Sequence, residues 1–146
     1  MAVSRRRIAG AILKVPLGDG WHSYAWTMPL EDFIFPDART DRDLPLEEVV
    51  ARPVLFRVCV HKAAWTTGRW PRVGSIPVPE PIAGPVPSFI QDVFTGKFQI
   101  YCGGEIRPST EEECRGLECA AVWDPDHVED RIRDHYAGVP CKWLSH

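Results

Sequence analysis

A chain of 146 residues with 45% hydrophobic content is long enough for one compact domain with a real core. Fourteen Pro and eleven Gly are more punctuation than a helical bundle tolerates, and no apolar run approaches the roughly 20 residues that span a bilayer. A net charge of −3 names no partner class, and five Cys, an odd count with no C-x-x-C pair, argue against a disulfide framework and a zinc ribbon.

The start, "MAVSRRRIAGAILKVPLGDG", has a basic patch followed by apolar residues that Lys14 and Pro16 interrupt, with no small-residue cleavage site. It reads as a flexible basic tail over residues 1–8 that enters a first strand at 9–17, and it predicts a cytoplasmic protein. "GDG" (18–20) is a turn in which Gly supplies positive φ, and "WHSYAWTM" (21–28) is the return strand of a hairpin. Along it Trp21, Ser23 and Ala25 share one face while His22, Tyr24 and Trp26 share the other. "DFIFP" (32–36) is a third short strand. Residues 37–52 read as a loop with a helical turn at "PLEEVV". "PVLFRVCVH" (53–61), rich in β-branched and aromatic residues, is the clearest strand.

"TTGRWPRVGSIPVP" (66–79) contains a Gly turn and a strand that Pro71 and Pro77 assign to an edge. "SFIQDVFTG" (88–96) fits one short helix with Ser88 as N-cap and Gly96 as its end. "KFQIYC" (97–102) is a strand, and "CGGE" (102–105) a turn. "STEEECRG" (109–116) offers a capping box from Thr110 to Glu113, and "LECAAVW" (117–123) is another strand. Cys59 and Cys119 fall inside apolar strand patterns and read as small core residues. There is no internal repeat. The predicted fold is mainly β (α+β), a single domain over 1–146, with a strongly bent antiparallel sheet or small barrel, short helices and a C-terminal amphipathic helix.

That last helix holds the densest polar chemistry, "GLECAAVWDPDHVEDRIRDHYAG" (116–138). Pro125 at the first helical position and Gly138 beyond the last predict a helix over roughly 125–137. Val128, Ile132, His135 and Tyr136 share the arc that must face the sheet, and Asp126, Asp130 and Asp134 form a stripe opposite. Glu129 stands four residues before Arg133, a favourable pair of about 0.2–0.5 kcal/mol. His127 and His135 are eight residues apart and do not make a metal-binding pair, and H-E-x-x-H spacing is absent. Nor is there a G-x-S-x-G, a P-loop or a dinucleotide fingerprint. The acidic stripe, together with Glu111, Glu112 and Glu113, therefore reads as a surface for a basic partner, with no catalytic residue, metal site or cofactor predicted. Trp65 and Trp70 are candidate interface anchors.

Two other classes compete. Trp65 and Trp70 with Arg57, Arg69 and Arg72 would suit stacking on single-stranded nucleic acid, but few Lys and a net negative charge weigh against that partner. An enzyme centred on Glu118, Cys119 or His127 lacks a convergent triad.

Taken in order, "ILKVPLGDGWHSYAW", "PVLFRVCVH", "GRWPRVGSIPVP" and "GLECAAVWDPDHVEDRIRDHYAG" resemble the immunity protein 26 family of bacterial polymorphic toxin systems, over roughly residues 10–137. The resemblance departs at "SYAW", where a Gly is expected near Ala25. It implies a mainly β domain, no cofactor, no catalytic residue and a cognate toxin domain as partner.

Overall fold

The computed structural model describes residues 6–144. The chain builds β1 (Ala11–Gly18), β2 (Trp21–Thr27), β3 (Asp32–Pro36), α1 (Leu46–Ala51), β4 (Val54–Val60), α2 (Ala63–Thr66) and β5 (Arg72–Ser75). It continues through α3 (Glu80–Ala83), β6 (Ser88–Gln91), β7 (Phe98–Cys102), β8 (Glu105–Ser109), α4 (Glu111–Cys114) and β9 (Glu118–Cys119), and closes with β10 (Val122–Trp123) and α5 (Pro125–Ala137). The described residues thus form a mainly β fold with short helices and the expected C-terminal helix. Neither of its two sheets closes into a barrel. Two compact units are present: one takes the chain up to Val78 and again from Val122, and the other is Pro79–Ala121.

The first unit carries a six-stranded sheet in the order β10-β4-β3-β2-β1-β5, antiparallel except where β10 runs parallel to β4. The β1–β2 hairpin turns through Gly18, Asp19 and Gly20, all at positive φ, as the "GDG" signal requires. One sheet face is the core: Leu13, Val15 and Leu17 of β1, Ala25 of β2, Phe33 and Phe35 of β3, and Phe56, Val58 and Val60 of β4. Ala64, Trp70 and the α5 residues Val128 and Ile132 complete that cluster. The opposite face is buried too, with Ile12, His22, Tyr24, Trp26 and Ile34. Thr40 extends the sheet beside His22 through two backbone hydrogen bonds, and the Leu44 N–H donates to the Tyr24 hydroxyl at 3.1 Å. A sheet covered on both faces explains why β2 holds aromatic residues at both parities.

The second unit is a four-stranded sheet in the order β8-β7-β6-β9, with β9 parallel to β6. Residues 88–96 are a strand and a turn, not the expected helix. Ser88–Gln91 pair with β7, and Phe89 opposes Ile100 and lies 6.2 Å from Phe98. A nine-residue helix is marginal alone, and the aromatic strand pairing outweighs its capping signals. The β7–β8 hairpin turns on Gly103 and Gly104, both at positive φ. The expected strand 117–123 is split: Glu118–Cys119 joins this sheet and Val122–Trp123 joins the other.

Of the expected basic tail, residues 1–5 lie outside the described residues. Arg7 is anchored, its Nη2 donating to the Asp32 carbonyl at 2.7 Å and its guanidinium lying 4.9 Å from the Phe33 ring. No helix among the described residues is long and apolar enough to cross a membrane.

Candidate functional site

α5 forms for the reasons visible in its sequence. Pro125 opens it, and Gly138 closes it in the left-handed region (φ 71°), its N–H meeting the Asp134 and His135 carbonyls. Val128 and Ile132 are fully buried against the first sheet and Tyr136 is half-buried, whereas His135 is exposed and does not share the core arc. The Tyr136 hydroxyl donates to Asp37 Oδ1 at 2.6 Å, and burial is the main reason its pKa is raised far above the usual phenol value.

The polar side of α5 is engaged with its own chain. Glu129 does not pair with Arg133. Its carboxylate is buried and accepts Arg69 Nε at 2.7 Å, Arg69 Nη2 at 2.8 Å and Trp70 Nε1 at 2.8 Å. This hydrogen bond to Glu129 raises the Arg69 pKa. Arg133 instead bonds Asp130 at 2.6 Å and the Leu17 carbonyl at 3.2 Å. Arg131 lies over the Phe56 ring at 3.9 Å.

The predicted carboxylate stripe is not one uniform solvent face. Asp134 is buried and accepts the Lys142 backbone N–H at 3.2 Å and Lys142 Nζ at 3.3 Å. Asp130 accepts Trp143 Nε1 at 2.9 Å, and its carboxyl is held below the usual range by the Arg133 hydrogen bond and then by that of Trp143. The His127 ring stacks on Trp143 at 3.7 Å and 16°. The segment after α5 therefore lies along its acidic side and leaves Asp126 as the exposed member of the stripe. Asp124, Asp126 and His127 bring one potential ligand atom each within 4.8 Å of one another. Both carboxylates are exposed, an ordinary arrangement for a helix start, and the histidine is already stacked.

Trp70, expected as an exposed anchor, is a core residue at 1% exposure. Burying the indole requires an acceptor for its N–H, and Glu129 supplies it. Trp65 is half-buried with its ring 5.6 Å from Phe33. Both line a cavity of about 340 Å³ beside Arg7 and Arg72. Arg57 bonds Asp32 and Arg69 bonds Glu129, so two of the three arginines considered for nucleic-acid contact are engaged internally. Cys119 is exposed and Cys59 half-buried; the buried thiol is Cys114 on α4. The error at Cys119 follows from the split strand, because a two-residue bridge buries little.

Glu111, Glu112 and Glu113 are exposed on α4. Thr110 caps that turn, its hydroxyl accepting the Glu113 N–H at 3.2 Å, as the capping box predicts. Glu113 reaches Arg107 at 3.6 Å. A feature that sequence reading missed is the turn between β6 and β7, where Val93 and Phe94 stand almost wholly in solvent. The D-x-x-x-G spacing of Asp92 and Gly96 was its only local signal.

No curated protein and no solved structure matches the chain. A family model described as Immunity protein 26 matches residues 8–100, from the entry to β1 into β7. The match leaves out α4 and α5, so the resemblance of 116–138 is not part of it. It does contain the aromatic β1–β2 hairpin, β4 and the Gly68–Pro71 turn and covers more than half of the chain, which belongs to the Immunity protein 26 family.

Proposed function

We propose that this chain is an immunity protein that binds a cognate bacterial toxin domain and neutralises it by direct protein–protein contact, in the cytoplasm of the producing cell. Family membership carries this reading. The use of the polar groups supports it. Three of the four α5 carboxylates are committed to Arg69, Trp70, Arg133, Lys142 and Trp143, which ties the helix to Arg69–Trp70 and to the segment that follows it. Asp126 and Glu111–Glu113 remain exposed for a basic partner surface, where charge complementarity speeds association. Single-stranded nucleic acid binding has less support, because Trp70 is buried and Arg57 and Arg69 are paired.

The test is co-expression. A toxin domain found at the C-terminus of a secreted protein encoded beside this chain should arrest growth when produced alone, and this chain should relieve the arrest. The purified pair should co-elute as a complex. Arrest that persists with both proteins well expressed refutes the reading.

A further inference from the structure

Val93 and Phe94 are 89% and 94% exposed, whereas no other exposed large hydrophobic among the described residues exceeds 65%. Single exposed apolar side chains are ordinary on protein surfaces. Two adjacent ones at this exposure, on a turn built to hold them out, are not.

The turn is tightly bonded. The Asp92 carboxylate accepts the N–H groups of Phe94 at 2.8 Å and Thr95 at 2.9 Å. The Gly96 N–H reaches the Asp92 carbonyl at 2.8 Å, the Asp92 N–H reaches the Lys97 carbonyl at 2.9 Å, and the Lys97 N–H meets Thr95 Oγ1 at 3.2 Å. Gly96 at φ 73° supplies the left-handed residue that lets the chain return to β7. Backbone hydrogen bonds from Thr95 and Phe94 hold the Asp92 carboxyl below its usual range, so this brace stays ionised at neutral pH.

The same end of the sheet is acidic. β7 begins at Phe98, opposite both Gln91 of β6 and Ser109 of β8, and Ser109 leads directly through Thr110 into Glu111, Glu112 and Glu113. The segment 79–121 holds seven carboxylates (Glu80, Asp92, Glu105, Glu111, Glu112, Glu113, Glu118) against three cations (Lys97, Arg107, Arg115), a net of −4 within a chain whose total is −3. One of those cations, Arg107, already faces Glu113.

We propose that the Asp92–Gly96 turn is a preformed apolar prong, with Phe94 as its anchor, that enters a pocket on a protein partner whose surrounding surface is rich in Lys and Arg. A rigid turn loses little conformational entropy on docking, and an aromatic side chain held in water gains its full burial only in the complex. The acidic end of the unit steers the encounter and disfavours acidic surfaces. The inference rests on the toxin-binding reading above and assigns the contact surface within it.

The experiment measures binding of the toxin domain used in the co-expression test, in inactivated form, to the full chain. Phe94→Ala should weaken the complex about thirtyfold, the scale of an interface hot spot. Its far-UV spectrum and thermal midpoint should match wild type, since Phe94 at 94% exposure buries almost nothing in the fold. Phe94→Trp should retain most of the affinity. Reversing Glu111, Glu112 and Glu113 to Lys should slow association about tenfold at low salt, with the deficit shrinking as salt is raised. Wild-type binding with Phe94→Ala unchanged to within about twofold overturns the prong and leaves the immunity reading intact. Failure of the wild-type chain to bind or protect overturns both.

Discussion

Replacing Glu129 tests how α5 is held. The carboxylate is 4% exposed and receives three donors, two from Arg69 and one from Trp70. In Glu129→Ala the indole N–H of a residue 1% exposed loses its acceptor, which costs about 1–3 kcal/mol. The Arg69 side chain is 46% exposed, so water re-solvates its guanidinium and that loss is held to about 0–1 kcal/mol. With the one buried methylene (Cγ) removed as well, the total is about 3 kcal/mol. Glu129→Gln keeps the shape and an acceptor for Trp70 but turns amide hydrogens toward Arg69, and should cost about 1–2 kcal/mol. Arg69→Ala should cost at least as much as Glu129→Ala, because it strands a buried carboxylate with one neutral donor, and adding Glu129→Gln to it should restore part of the loss. Urea unfolding followed by tryptophan fluorescence is the assay. All six Trp lie in the unit that contains α5, so the signal reports that unit. At an m-value of about 1–2 kcal/mol/M the Ala variant should unfold about 1.5–3 M earlier. A Glu129→Ala unfolding free energy within about 0.5 kcal/mol of wild type would refute the claim that this carboxylate is a buried, satisfied anchor.

Three further outcomes follow from the geometry. Gly10 has φ +89°, and a Cβ there would lie 2.9 Å from the Ile76 carbonyl oxygen, so Gly10→Ala should cost about 2 kcal/mol or more in urea melts; Gly18→Ala, with φ +92° but open space, should cost only about 1. His22 is buried beside the Tyr24 hydroxyl and its pKa is lowered mainly by that burial, so the fold favours the neutral ring; stability should be intact above about pH 6.5 and decline as pH falls below it, and His22→Gln should flatten that slope. Asp134→Ala should destabilise by about 1–2 kcal/mol and alter Trp143 emission by freeing Lys142, while Asp126→Lys, at an exposed position, should stay within about 0.5 kcal/mol of wild type.

Several elements were legible from neighbours in sequence alone. The "GDG" hairpin, the "VLFRVCV" strand, the Thr110 cap and the Pro125–Gly138 limits of α5 all depend on the φ preferences and side-chain alternation of a few adjacent residues, and all stand in the fold. The helix expected at 88–96 did not, because strand pairing to β7 outweighs a nine-residue helix.

Composition and local pattern thus determined the class of fold, the position of most strands and the amphipathic character of the last helix. Tertiary structure decided which polar groups remain available. Glu129 meets Arg69 across sixty positions, Trp70 goes inside because that carboxylate is there, and Lys142 and Trp143 fold back on Asp134 and Asp130. Such pairings depend on strand register and on how chain segments return, and no short window of sequence contains either. The same reason hid Phe94: its exposure follows from which way a strand turns, not from its neighbours' hydropathy.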